Sequence, residues 1–106
     1  MMILPYRTQV FVPHLGRMLK AKLDSGADNS SLDLDFASGL RVAGYVNISN
    51  SLGKSKRTPY ALMDIVLPDP IGTRQIRVNL ADRSHLRTPL LLGRSALQGV
   101  LIDPCI

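Results

Sequence analysis

Asp24 is the residue of this chain best placed to do chemistry, because it lies in the short sequence Asp24-Ser25-Gly26-Ala27. Apolar residues alternate with polar ones along 19–23, a pattern typical of a half-buried strand that ends at the carboxylate. The glycine permits a tight turn, and the serine hydroxyl can bond nearby backbone, so the direction of the carboxylate is fixed. A fixed carboxylate is a candidate general acid or base. The alternative is a surface turn that only connects two strands.

The composition predicts one all-β domain that spans residues 1–106. A chain of 106 residues is long enough to bury a core without disulfides. Val, Ile and Leu occur in short runs between Gly, Pro, Ser and Asn, which favours strands over long helices.

The charge balance and the cysteine count indicate which partners and which cellular compartment to expect. Thirteen Lys and Arg against eight Asp, with no Glu, give a net charge of +5, which favours acidic partners. Nucleic acid is an unlikely partner because aromatic residues are few and no stacking motif, zinc finger or basic helix is present. A single cysteine, Cys105, favours a reducing compartment. The first seven residues do not resemble a signal peptide and no segment is long enough to span a membrane, so we expect a cytoplasmic protein.

Alternation and turn residues predict a series of short strands. Leu32 and Leu34 are expected to point inward, and Asn79 to lie on the wet face of its strand. Residues 49–57 are polar and basic, which indicates an exposed hairpin tip. Residues 95–98 are expected to form one helical turn that ends at Gly99. The segment 35–43 is left open. The predicted strands cover 9–12, 17–24, 29–34, 45–48, 60–67, 74–80, 90–93 and 100–102.

The Asp24-Ser25-Gly26-Ala27 turn, followed much later by Leu91-Leu92-Gly93, resembles the retropepsins, the single-domain aspartic proteases. In that family an Asp-Thr/Ser-Gly-Ala turn carries the catalytic carboxylate. A hydrophobic-hydrophobic-Gly element packs behind the turn, just before a short helix. The resemblance implies a small closed β-barrel with one short C-terminal helix, and it gives Leu92, Gly93 and Arg94 a supporting role.

The resemblance is closer to a bacterial branch named for ATP-dependent zinc proteases, which includes the RimB-like proteins. Three ordered blocks carry it and together extend over nearly the whole chain. They are Phe11-Val12-Pro13-His14-Leu15-Gly16 with the strand and turn that follow, Ser49-Asn50-Ser51-Leu52-Gly53-Lys54-Ser55, and Asp82-Arg83-Ser84-His85 with Pro89-Leu90-Leu91-Leu92-Gly93-Arg94-Ser95-Ala96-Leu97.

Two features depart from that branch. The segment between the catalytic turn and the hairpin, residues 34–48, is short, which bears on the shape of the cleft. Position 28 is an acid, as in the viral relatives, and Asp28 can pair with Arg94 beneath the site. The alternative is that both side chains are exposed and contribute little.

The name of the branch implies zinc and ATP, but the residues predict neither cofactor. A metal site needs three or four convergent ligands, and His14, His85 and Cys105 are far apart in sequence. No Gly-rich phosphate loop with Lys-Ser/Thr is present. Both histidines are expected to be solvated, in a turn and a loop.

The resemblance implies a catalytic dyad of two Asp24 residues from a homodimer, because one carboxylate cannot serve as both base and acid in one turnover. Ser25 and Gly26 complete the catalytic turn, and Ser25 orients Asp24. The basic hairpin tip would form a flap over the cleft, so the expected substrate is an acidic peptide or protein tail, and the resemblance implies polyglutamate. The expected substrate-binding residues are Ala27, Asp28, Lys20, Lys22, Ser51, Gly53, Lys54, Lys56 and Arg57.

Two other functions stay open. A retropepsin fold can bind an acidic peptide through Asp24 and the basic flap without turnover. A non-proteolytic structural or nucleic-acid-binding β-domain is the third alternative, and it predicts an affinity for nucleic acid that falls steeply with salt.

Overall fold

The computed structural model describes residues 2–49 and 52–104, and over these residues the chain is built almost entirely of strands. Two 3₁₀ turns, Leu34–Phe36 and Arg94–Leu97, interrupt them. No helix in the described ranges is long and apolar enough to cross a membrane. The strands are β1 (Met2–Pro5), β2 (Arg7–Val12), β3 (Arg17–Leu23), β4 (Ser30–Asp33), β5 (Val42–Ser49), β6 (Ser55–Leu67), β7 (Gly72–Ala81), β8 (Leu90–Leu92) and β9 (Val100–Asp103).

Six of these strands close into a barrel. Their order around it is β2, β3, β8, β4, β7 and β6, and Phe11 of β2 pairs with Val66 of β6 to complete the circle. Because closure leaves few free edges, the barrel protects its backbone hydrogen-bonding groups. β5 extends the sheet beyond β6 as one arm of a hairpin. The all-β barrel predicted from the sequence is confirmed.

The core is formed by the buried side chains of the strands, which in β3 alternate with exposed ones. Leu19, Ala21 and Leu23 of β3 are all buried, whereas the residues between them are exposed. Each fully buried Leu contributes about 1.5–3 kcal/mol relative to an exposed one. The other buried apolar residues are Val10, Val12, Leu32, Ala61, Met63, Ile65, Leu67, Ile76, Val78, Leu80, Leu90, Leu92, Ala96 and Leu97.

β1 and β9 form a second sheet of two strands, separate in its pairing from the sheet of the barrel. β1 and β9 pair in parallel, with Ile3 opposite Leu101, and both of these side chains are exposed, by 65% and 48%. The sequence analysis had not predicted β1, because its four residues show no polar alternation. A two-stranded sheet is marginally stable alone, and Leu4, Val100 and Ile102 pack this pair against the core of the barrel.

Three side chains differ in their exposure from what the sequence predicted. Leu34 is 51% exposed instead of inward, because a 3₁₀ turn starts there and ends the extended run at Asp33. Asn79 is buried instead of wet, because Ser31 of β4 and Tyr60 of β6 flank it on either side in the sheet. His14 is half-buried instead of solvated: its Nε2 lies 3.0 Å from the Phe36 carbonyl oxygen.

The hairpin of β5 and β6 is longer than the sequence indicated. Pairing continues out to Ser49 and Ser55, so residues 55–57 belong to β6 and not to a loop. Gly53 near the tip has a φ of +78°, a conformation that favours glycine. Ser51, predicted to bind substrate, and Cys105 lie outside the described residues. The open segment 35–43 contains the rest of the first 3₁₀ turn and the start of β5.

Candidate active site

Backbone hydrogen bonds fix both the turn that carries Asp24 and one oxygen of its carboxylate. β3 ends at Leu23, and the Asp24 N–H donates to the Leu92 carbonyl at 2.9 Å, which continues the pairing of β3 with β8. The Gly26 N–H donates to Asp24 Oδ1 at 3.0 Å, and the Ala27 N–H donates to the Asp24 carbonyl. One carboxylate oxygen is therefore fixed, and no described residue donates to the other oxygen.

The backbone at Gly93 supports this turn from below. Its N–H donates to the buried hydroxyl of Ser30 at 3.0 Å, and the next N–H, of Arg94, donates to the Ala27 carbonyl at 2.8 Å. A Cβ on Gly93 would lie 2.6 Å from the Asn29 carbonyl oxygen and 2.9 Å from that of Ala27. Only glycine fits between these carbonyls, because a Cβ at such distances overlaps backbone.

Arg94 ties the outer side of the same turn. Its Nε donates to the Ser25 carbonyl at 3.2 Å, and its Nη2 lies 3.2 Å from Asp28 Oδ1. The two side chains are 66% and 79% exposed, so the ion pair adds little stability. The pairing anticipated from the sequence is present, and both side chains are exposed, as the alternative expected.

Asp24 borders an open cavity of about 510 Å³. Lys22 and Ser25 line the cavity beside it, and so do Ile102 of β9 and Pro104, which follows β9. Lys22 was one of several cations predicted to bind substrate, and it lines the same cavity as the Asp24 carboxylate. The sequence analysis did not identify Tyr6 or the end of β9 as part of this site, since neither carries a motif.

The hairpin cations border a different cavity within the chain. Lys54 and Lys56 line a space of about 420 Å³ together with Asn29 and Ser31, which lie just beyond the Asp24 turn. Arg57 does not line this cavity. Its guanidinium instead lies over the Tyr45 ring, 4.2 Å from the centroid.

Lys20 lies away from Asp24 in a cavity of about 350 Å³ with Arg7 and Arg87. A further cavity of about 260 Å³ is lined by Lys22, Arg7, Arg83 and Arg87. Sequence reasoning placed both lysines at the site but missed these three arginines. No motif marks them, because residues far apart in sequence are brought together only by the β2–β3 hairpin and the loop 82–89.

The loop 82–89 is anchored through Arg83. Its backbone N–H donates to the buried Asp33 at 3.1 Å, and its Nε donates to the Thr88 carbonyl at 3.1 Å. Partial burial lowers the pKa of the Arg83 guanidinium, and the charge of Asp33 opposes that shift. Asp33 thus holds the loop both by a hydrogen bond and by its charge.

The donor set does not fit the zinc site implied by the name of the bacterial branch. Within residues 2–49 and 52–104, no three His, Cys, Asp or Glu side chains converge as metal ligands. His14 faces the Phe36 carbonyl, and His85 lies exposed in the loop 82–89.

Comparison with known proteins identifies the fold. No protein-family model and no curated protein matches the chain. Among solved structures, it is 26% identical to Lpg0085, a protein of unknown function (DUF785) from Legionella pneumophila, over 99% of this chain and 94% of that one, with a TM-score of 0.71. It also matches EIAV protease complexed with the inhibitor HBY-793, at 24% identity over 87% of this chain and 84% of that one, with a TM-score of 0.64.

The retroviral protease-like domain of Ddi1 from Leishmania major is a third match, at 13% identity over 90% of this chain and 74% of that domain, with a TM-score of 0.54. The fold is therefore retropepsin-like, as the sequence predicted.

Replacing Gly93 with Ala is expected to lower the free energy of unfolding by about 1–3 kcal/mol, because the added methyl group overlaps the Asn29 and Ala27 carbonyls. Chemical denaturation measures the change. Ser95→Ala, on the exposed neighbouring turn, is the control and should leave the midpoint nearly unchanged. An unaltered midpoint for Gly93→Ala would contradict the close approach described here.

Replacing Ser84 with Ala is expected to raise the pKa of Asp82 towards its ordinary value. The Ser84 hydroxyl and N–H donate to Asp82 Oδ1 at 2.6 and 2.9 Å, and they hold that pKa low in the folded state. A depressed folded pKa gives stability that is present above the unfolded pKa and lost as the pH falls through the folded value. NMR titration of the carboxyl carbon measures the shift. Ser84→Thr keeps a hydroxyl and should preserve the low pKa.

Proposed function

We propose that this protein is a homodimeric aspartic endopeptidase whose catalytic pair is Asp24 from each of two chains. The observation that carries the proposal is the Asp24 carboxylate itself: a backbone N–H fixes one oxygen, and the group borders an open cavity in a retropepsin-like fold. The similarity in fold to EIAV protease, which was solved with an inhibitor, supports a protease function.

The chemistry requires two carboxylates. Carboxylates in close contact do not both ionise readily, so a pair of Asp24 residues holds one shared proton, as in aspartic proteases generally. The ionised member takes a proton from water, and the water oxygen attacks the scissile carbonyl carbon. The protonated member donates a hydrogen bond to the carbonyl oxygen. The pair then gives a proton to the leaving amine, which breaks the C–N bond.

The sheet of β1 and β9 is suited to bring the second Asp24 into place. Within the described residues this sheet contains two strands, and its face exposes Ile3 and Leu101. Free strand edges pair readily with another chain. Since Ile102 borders the Asp24 cavity, a second copy docked on this sheet would lie next to the carboxylate.

An acidic peptide, such as a polyglutamate tail, is the substrate class that the charges favour. Lys22 lines the cavity of Asp24, and Lys54 and Lys56 line the cavity beside Asn29. The net charge of +5 draws anionic partners over longer distances.

An acidic-peptide-binding module without turnover is the second candidate. It is favoured by the single carboxylate among the residues that line the Asp24 cavity within one chain. The two candidates differ in whether a second chain supplies the other carboxylate. A protein that sediments only as a monomer at high concentration would therefore support the binding module.

Asp24→Asn is expected to lower kcat/KM for a polyglutamate peptide by roughly 10²–10⁴-fold, because the amide can neither accept the proton of water nor share one with its partner. Asp64→Asn makes the same chemical change on the exposed face of β6 and should leave turnover unaltered. Product release is followed by mass spectrometry. Retained hydrolysis by Asp24→Asn would rule out the proposed dyad.

Leu101→Glu is expected to abolish both dimerisation and turnover, because it places like charges on the exposed face of the β1–β9 sheet at the contact between copies. Sedimentation equilibrium measures the mass, and peptide hydrolysis measures the activity. Leu62→Glu, at a similarly exposed position on β6, is the matched control. A monomeric Leu101→Glu variant with full activity would contradict a shared site.

A further inference from the structure

Five cations line two adjoining cavities on the face of the β2–β3 hairpin and the loop 82–89. Arg7, Arg87 and Thr88 belong to both cavities, which shows that the two spaces adjoin. Lys22 borders both the second of these cavities and the cavity of Asp24. We call this surface the basic groove and define it by Arg7, Lys20, Lys22, Arg83 and Arg87.

The basic groove brings like charges together, and no acidic residue lines its two cavities in the described part of the chain. Arg7 pairs directly with Lys22 across β2 and β3, so their side chains point to the same face. Like charges directly opposite each other in an antiparallel pair are destabilising. No described residue lining the two cavities is acidic, and none of Arg7, Lys20, Lys22 and Arg87 forms an ion pair with another described residue. An anion bound between them would remove this repulsion.

The wall of the groove is held in position before any ligand binds. Arg83 donates to the Thr88 carbonyl through Nε, and its backbone N–H is held by Asp33. Thr88 lines both cavities, so these bonds fix the loop that carries Arg87. A preorganised site loses less entropy when it binds.

The shape and composition favour an acidic polypeptide over a nucleic acid. Lys20 and Lys22 lie two residues apart on one face of β3, a spacing of about 7 Å that matches alternate side chains of an extended peptide. No aromatic residue lines either cavity in the described chain, whereas binding of single-stranded nucleic acid relies on stacking platforms. Arginine forks bind carboxylates in a bidentate manner.

We infer that the basic groove is a carboxylate-binding exosite, which holds the acidic segment of a polypeptide next to the residue presented to Asp24. The inference rests on the proposed peptidase function for its role, but the binding itself does not require catalysis. Its consequence is that acidic residues distant from the cleaved bond contribute to affinity.

The test measures binding of fluorescent octaglutamate to the full chain carrying Asp24→Asn, by anisotropy, so that hydrolysis cannot interfere. Adding Lys20→Gln and Arg87→Gln is expected to raise Kd about tenfold. Arg17→Gln with Arg41→Gln removes the same net charge outside the groove and should raise Kd less than about twofold. Circular dichroism verifies that each variant is folded.

The outcomes separate the exosite from the proposed function. Equal weakening by both double variants would show attraction by net charge alone and would overturn the exosite. Tighter binding of single-stranded RNA than of octaglutamate, lost on the same substitutions, would overturn the polypeptide as occupant. Selective weakening by Lys20→Gln with Arg87→Gln supports the exosite even if the chain with Asp24 intact hydrolyses no peptide. In that case the peptidase proposal fails and the binding site remains.

Discussion

The close approach of the Gly93 backbone to the turn after β3 is the constraint on which the site depends. β8 has only three residues, yet it pairs with β3 on one side and with β4 on the other. The turn that carries Asp24 has to pass over the end of this short strand. Three backbone N–H groups, from Asp24, Gly93 and Arg94, find their acceptors at that crossing. Because these groups are fixed together, the direction of the carboxylate is a property of the barrel and not of the turn alone.

Much of the barrel follows from local patterns. Period-2 alternation identifies β3 and β7 because each has one buried face, and Gly and Pro mark the turns between strands. The cluster of Asp24, Ser25, Gly93 and Arg94 was accessible through motif order, since its two halves stand in recognisable sequences. The alternation failed at Leu34 and Asn79. Leu34 is exposed because a 3₁₀ turn ends the extended run of β4, and Asn79 is buried because neighbouring strands flank it on both sides.

The parts that the sequence did not reveal depend on long-range pairing. Nothing local to Met2–Pro5 indicates that it will pair with β9. The position of Lys54 and Lys56 beside Asn29, and not beside Asp24, depends on how the hairpin leans over the barrel. The convergence of Arg7 and Arg87 similarly depends on the loop 82–89 folding back against β2 and β3. Composition predicts a preference for anions, but only the fold gives that preference a location.

The same crossing determines when the Asp24 turn can become ordered during synthesis. The contacts that fix the Asp24 turn join residues separated by 63 and 69 positions. During synthesis the turn emerges from the ribosome well before residues 93 and 94, which support it. Contacts of such high sequence separation also form slowly, since the loop-closure entropy must be overcome first. A nascent or truncated chain therefore cannot present an oriented carboxylate, and the acidic residue gains its defined geometry only when the barrel closes.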